Sequence, residues 1–127
     1  NDKVENVNVP GSEAEVEMYT IGWSSSTGDA DWGIRPLVAV ESMPPMSYNI
    51  CYYENEEVDN LLYEALATAD EEKRAEAYAK AQDILWEACP MVCLVNDYNT
   101  WATTNKIANV KVYPDNCLNI RNARMAK

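Results

Sequence analysis

Histidine is absent from this chain of 127 residues, and its absence removes several chemistries at once. There is no Ser-His or Cys-His pair to activate a nucleophile. The common imidazole metal ligand is missing too. Cations are scarce: 10 Lys and Arg face 21 Asp and Glu, for a formal charge of −11. Nucleic-acid binding depends on basic side chains that neutralise phosphates, and docking on anionic membranes needs the same sign, so both are disfavoured. No apolar run approaches the ~20 residues that a membrane helix needs. No signal peptide is visible, which leaves either a cytoplasmic protein or a fragment whose N-terminus lies elsewhere. The four cysteines, Cys51, Cys89, Cys93 and Cys117, include no CxxC pair, so they make a poor zinc set. Cys93 lies in an apolar run and Cys89 at a helix end, so both read as small buried hydrophobes.

What is present is enough chain for one domain with a core, burying about two thirds of its unfolded surface. Its most informative stretch is MYTIGWSSSTGDADWGIRP, from Met18 to Pro36. It offers hydroxyls, two carboxylates, two indole faces and one guanidinium. Such a set suits a zwitterionic, peptide-like ligand, and loops on a rigid scaffold are where binding groups concentrate. Asp29 and Asp31 are close enough in sequence to suggest a pair of catalytic carboxylates, yet nothing else supports acid–base chemistry.

Residues 1–13 are polar, broken by Pro10-Gly11-Ser12, and read as a lead-in or cut end. Residues 15–23 read as a strand, and 31–40 as a short helix in which Pro36 is awkward outside the first turn. Residues 42–47, with Pro44-Pro45, read as an irregular loop. Two helices are the firmest expectations. Asn55 caps the first, whose inner face carries Val58, Leu61, Leu62, Ala65 and Leu66. Asp70 caps the second, with Ala75, Tyr78, Ala79, Gln82, Leu85 and Trp86 as its inner stripe and Pro90 as its stop. The run 70–74 reads as a solvated helix face, and Tyr52-Tyr53 as packing on the first helix. Residues 91–95 read as a buried strand and 98–104 as an aromatic and β-branched one. Shorter strands are expected at 110–113 and 117–120, joined by a turn at Pro114-Asp115-Asn116. This order gives an α/β or mixed α+β fold class.

These residues carry a resemblance. Gly22-Trp23 with the loop from Ser24 to Arg35, then Glu41-Ser42-Met43-Pro44-Pro45-Met46, Tyr52-Tyr53, Val58-Asp59 and the helix from Asp70 to Gln82 resemble the C-terminal part of the peptide/nickel/oligopeptide class of ABC-transporter solute-binding proteins. Ser26-Thr27-Gly28-Asp29-Ala30-Asp31-Trp32 and Met43-Pro44-Pro45 are most similar to the glutathione-binding subgroup. The resemblance runs from about Val16 to Ile120.

The resemblance implies a two-lobed fold of the type II periplasmic-binding kind. Residues 14–127 would form part of the C-terminal lobe, with the N-terminal lobe missing. It implies an extracytoplasmic protein, free in the periplasm or lipid-anchored at the cell surface. That protein would be no enzyme and use no cofactor. It would bind glutathione or a short peptide and deliver it to ABC permease transmembrane subunits, with no nucleic-acid partner. Alternatives are a general di- or oligopeptide receptor, a nickel-chelate receptor, or a structural module without a ligand. The candidate ligand-binding residues are Trp23, Ser24, Ser25, Ser26, Thr27, Asp29, Trp32 and Arg35. Each has a plainer role beside it. Trp23 and Trp32 can be packing residues, the hydroxyls a solvated turn, Asp29 or Asp31 a helix cap, and Arg35 a salt bridge to Asp31. Dipeptide receptors of this class place an Asp shortly after the Gly-Trp pair to hold the ligand's α-ammonium. Ser26 stands near that place here, which fits a γ-linked ligand whose charges are displaced.

Overall fold

The structure, a computed structural model, describes residues 12, 18, 20–113 and 117–126. The chain divides into two compact units, one reaching to Val92 and one running from Cys93 to Lys127.

The first unit is helical. Helix α1 spans Ala30–Val38 and is followed by a 3-10 turn at Val40–Ser42. Helix α2 spans Glu56–Ala67 and α3 spans Glu71–Ala88. Each helix starts where a side chain can take up free amides at the first turn. The Asn55 carboxamide oxygen accepts from the amides of Glu57 and Val58 at 3.0 and 3.1 Å. Asp70 accepts from those of Glu72 and Lys73 at 3.1 and 3.2 Å. Helix α3 ends at Cys89, a left-handed residue with φ 48° whose amide returns to the Leu85 carbonyl, and Pro90 cannot continue the ladder.

The core of this unit is Val38, Ala39, Val58, Leu62, Ala65, Ala77, Tyr78 and Ala81. Ala65 on α2 and Ala77 and Ala81 on α3 are small, which allows close packing around Leu62 and Val58. Full burial of side chains such as these two contributes about 1.5–3 kcal/mol each. Asn49 is also fully buried and holds the link between α1 and α2. Its carboxamide donates to the carbonyls of Ala39 and Tyr53 at 3.0 and 2.8 Å and accepts the Tyr53 amide at 3.0 Å. A buried amide so completely paired acts as a bracket across the segment 39–53.

The second unit holds four strands of two residues: β1 Ile107–Ala108, β2 Lys111–Val112, β3 Leu118–Asn119 and β4 Arg124–Met125. β1 pairs antiparallel with β4 (Ile107 opposite Met125), and β2 with β3 (Lys111 opposite Asn119). The nested registers leave residues 109 and 110 opposite 120–123, a bulge that interrupts one hairpin. Asn109 takes the left-handed turn there, with φ 64°.

Several expectations are corrected. Among the described residues of the segment 15–23, none is in a strand; Glu15, Val16, Glu17 and Tyr19 lie outside the described residues. The first short helix runs 30–38 rather than 31–40, because Asp29 caps it, and Pro36 sits near its end rather than in its first turn. The inner stripe of α3 is Ala77, Tyr78 and Ala81, with Ile84 and Leu85 alongside; Ala75, Ala79, Gln82 and Trp86 are exposed. The stripe is rotated because Tyr78, not Trp86, reaches the core. Leu66 is exposed as well. Residues 91–95 and 98–104 form no strand and are exposed, as are Cys89 and Cys93. An apolar, β-prone run becomes a strand only where another segment supplies ladder partners. The turn at 114–116 lies outside the described residues, while the flanking pair forms, with the Tyr113 amide donating to the Cys117 carbonyl at 3.0 Å. The overall mixture of helices and small sheets is compatible with an α/β class.

Candidate functional site

Residues 23–29 form a largely exposed loop that runs into α1, whose first residues, 30–35, complete the segment. The loop is built on its own side chains. The Ser25 hydroxyl donates to the Asp29 carbonyl at 2.8 Å and lies 3.3 Å from the Thr27 hydroxyl. Thr27 Oγ1 in turn accepts the Asp29 amide at 3.2 Å. Such hydroxyl-to-backbone bonds favour turns over regular structure. Gly28, with φ +73°, takes the left-handed position that closes the turn. Ser25 and Thr27 are thus engaged in holding the loop, while Ser24 and Ser26 are exposed and make no side-chain hydrogen bond among the described residues.

Pro36 has a consequence at the start of the loop. A proline has no N–H, so inside a helix it leaves the carbonyl four residues earlier without its partner. That carbonyl belongs to Trp32, and the indole Nε1 of Trp23 donates to it at 3.2 Å. The two indoles are thereby held together, with ring centroids 6.2 Å apart. Tyr48 adds a third ring, 5.0 Å from Trp23 and tilted by 57°. Trp32 and Tyr48 remain 37% and 46% exposed, so these rings form a surface and not a core.

The charged groups pair with one another. Asp29 caps α1 by accepting the Asp31 amide at 2.8 Å. The same carboxylate accepts from Nη2 of Arg74 on α3 at 2.9 and 3.2 Å. The Asp31 amide first, and the Arg74 guanidinium second, hold the Asp29 carboxyl below its usual range. Arg35 grips Asp31 with two parallel bonds of 2.7 and 2.8 Å and reaches Glu41 with Nη1 at 2.7 Å. Asp31 first, then Glu41, raise the Arg35 pKa above its already high ordinary value. Fork geometry of this kind is the stronger form of ion pair.

Of the eight residues expected from sequence, the structure brings Trp23 and Trp32 into contact and strings Ser24, Ser25, Ser26, Thr27 and Asp29 along one turn. Arg35 lies on α1 and is turned onto carboxylates of this chain, with two of its five N–H groups left over. Two residues escaped the sequence reading. Arg74 looked like part of a solvated face, yet it ties α3 to the loop across 45 positions. Tyr48 sat in an irregular stretch with no periodicity to reveal its partner. Among the described residues, no group of three His, Cys, Asp or Glu side chains converges for a metal. No helix among them is long and apolar enough to cross a membrane. Two open hollows lie elsewhere. One is lined by Asn109, Val110, Lys111, Asn122 and Arg124, and the other by residues of the first turns of α2.

No family model matches the chain. The chain is 38% identical over 103 residues to the glutathione-binding protein GsiB of Escherichia coli K12, and equally to GsiB of Escherichia coli O157:H7 and of Shigella flexneri. Each match covers 81% of this chain and 20% of the relative, so the chain spans about a fifth of the length of the curated relatives it matches. The resemblance read from the sequence is therefore borne out as similarity, over four fifths of this chain, to glutathione-binding proteins.

Proposed function

We propose that the chain is part of the solute-binding component of an ABC importer, and that it contributes one wall of an extracytoplasmic site for glutathione or a related short peptide. The observation that carries this reading is the 38% identity over 103 residues, four fifths of this chain, to proteins named for glutathione binding. The chemistry of the loop supports it. Exposed Ser24 and Ser26 offer hydrogen bonds, Trp23 and Trp32 offer ring faces, and the remaining N–H groups of Arg35 can meet a carboxylate. Nothing in this set activates a nucleophile or relays a proton, so the role is binding and not catalysis. In the longer receptor, ligand held between two lobes would stabilise a closed form that the permease recognises.

The test is calorimetric titration of the full-length protein carrying this segment, with reduced glutathione and with α-linked Glu-Cys-Gly as control. Binding of glutathione alone, at about micromolar Kd or tighter, is the expected result. Equal binding of both would move the reading to a general peptide receptor, and binding of neither would overturn the ligand. The 127-residue chain by itself is expected to bind glutathione no tighter than about millimolar, since it carries one wall of the site.

A further inference from the structure

We propose that Tyr48 is a ligand-contacting residue of this site, its ring completing an aromatic wall with Trp23 and its hydroxyl bonding to the polar backbone of a short peptide-like ligand. The inference rests on the reading above that the loop 23–35 binds such a ligand.

Trp23 cannot supply the directional bond. Its indole N–H is engaged by the Trp32 carbonyl that Pro36 leaves open, so Trp23 offers a ligand only its ring. The Tyr48 ring lies 5.0 Å from it, centroid to centroid, and extends the same apolar surface. The Tyr48 hydroxyl makes no hydrogen bond among the described residues, and it can both donate and accept. That dual capacity suits a ligand rich in amides and carboxylates.

The backbone beneath Tyr48 is held at both sides. Its own amide donates to the Pro36 carbonyl at 3.1 Å, and the amide of the next residue, Asn49, donates to the Ser42 carbonyl at 2.8 Å. The Asn49 side chain is the buried bracket described above. A half-exposed aromatic on so constrained a backbone loses little freedom when it meets a ligand, because only two side-chain torsions remain to be ordered. Tyr48 is 46% exposed, so part of its surface is open to a ligand.

The experiment compares Tyr48→Phe, Tyr48→Ala and Trp23→Ala in the full-length protein by calorimetric titration with glutathione, with thermal melting as the check on folding. Tyr48→Phe keeps the ring and removes the hydroxyl, so Kd should rise by about 2–10-fold with an unchanged melting midpoint. Tyr48→Ala should raise it by about 10–100-fold. If both Tyr48 variants bind like the wild type while Trp23→Ala weakens binding, the role of Tyr48 is overturned and the glutathione reading stands. If Tyr48→Ala weakens binding and Tyr48→Phe does not, the hydroxyl bond is overturned. If the unaltered protein binds neither glutathione nor the α-linked control, both readings fall together.

Discussion

The two units of this chain contrast in charge and in how they are held. The unit up to Val92 carries 19 Asp and Glu against 5 Lys and Arg, while the unit from Cys93 onward carries 2 against 5. The first has capped helices around fully buried Leu62, Val58 and Val38. The second has four two-residue strands, and none of its described residues is buried. Leu94, Val95 and Tyr98 are 71%, 78% and 97% exposed. The difference teaches that a helix is specified by groups a few residues apart, whereas an extended apolar run needs a partner from outside itself. Acidic residues in the first turns of α2 and α3 are also favourable at helix N-termini, so part of the charge contrast follows from the helices.

The largest expected effect tests that contrast directly. Leu62→Ala should lose about 2–5 kcal/mol of stability by urea denaturation, because a cavity opens between α2 and α3. Leu94→Ala should change it by less than about 0.5 kcal/mol. Equal losses would break the comparison. A middle effect is expected at the loop. Asp29→Ala removes both the α1 cap and the partner of Arg74, and should lose about 1–2 kcal/mol, most of it from the cap, because both side chains are partly exposed. A loss confined to Arg74→Ala, with Asp29→Ala silent, would remove Asp29 as the organiser of the turn.

The smallest effect is a pH dependence. The folded Asp29 carboxyl titrates below its unfolded value, so its contribution is present above the ordinary aspartate range and is lost as pH falls through the folded pKa. Thermal melting followed from neutral pH downward should therefore show part of the acid loss missing in Asp29→Asn, which can still cap α1 but does not titrate. Parallel acid profiles for the two proteins would assign the acid sensitivity to other carboxylates.

The residues that were legible in sequence are those whose partners are near. Asn55 and Asp70 announced α2 and α3, Val58, Leu62 and Ala65 announced the inner face of α2, and the loop 23–35 announced itself by composition. Tyr113 and Cys117 bracketed a short pair that formed. The residues that were not legible act over distance. Arg74 meets Asp29 across 45 positions, Asn49 serves two separated carbonyls, and Trp23 repairs the carbonyl bond that Pro36 removes from α1. The stripe of α3 turned toward Ala77, Tyr78 and Ala81 because the face that packs is chosen by α2 and not by α3 alone.

The sequence by itself determined the caps, the helices they start, the charge and the chemical character of the loop, since each depends on groups within a turn of one another. Only the tertiary structure decided which groups of the loop are engaged within the fold and which are left over. It engaged Arg35 with Asp31 and Glu41, Asp29 with Arg74, and the Trp23 indole with Trp32, and it left the hydroxyl of half-exposed Tyr48 without a hydrogen bond among the described residues. The physical reason is that hydrogen-bond capacity is finite, and a donor already satisfied within the fold has little left to offer from outside.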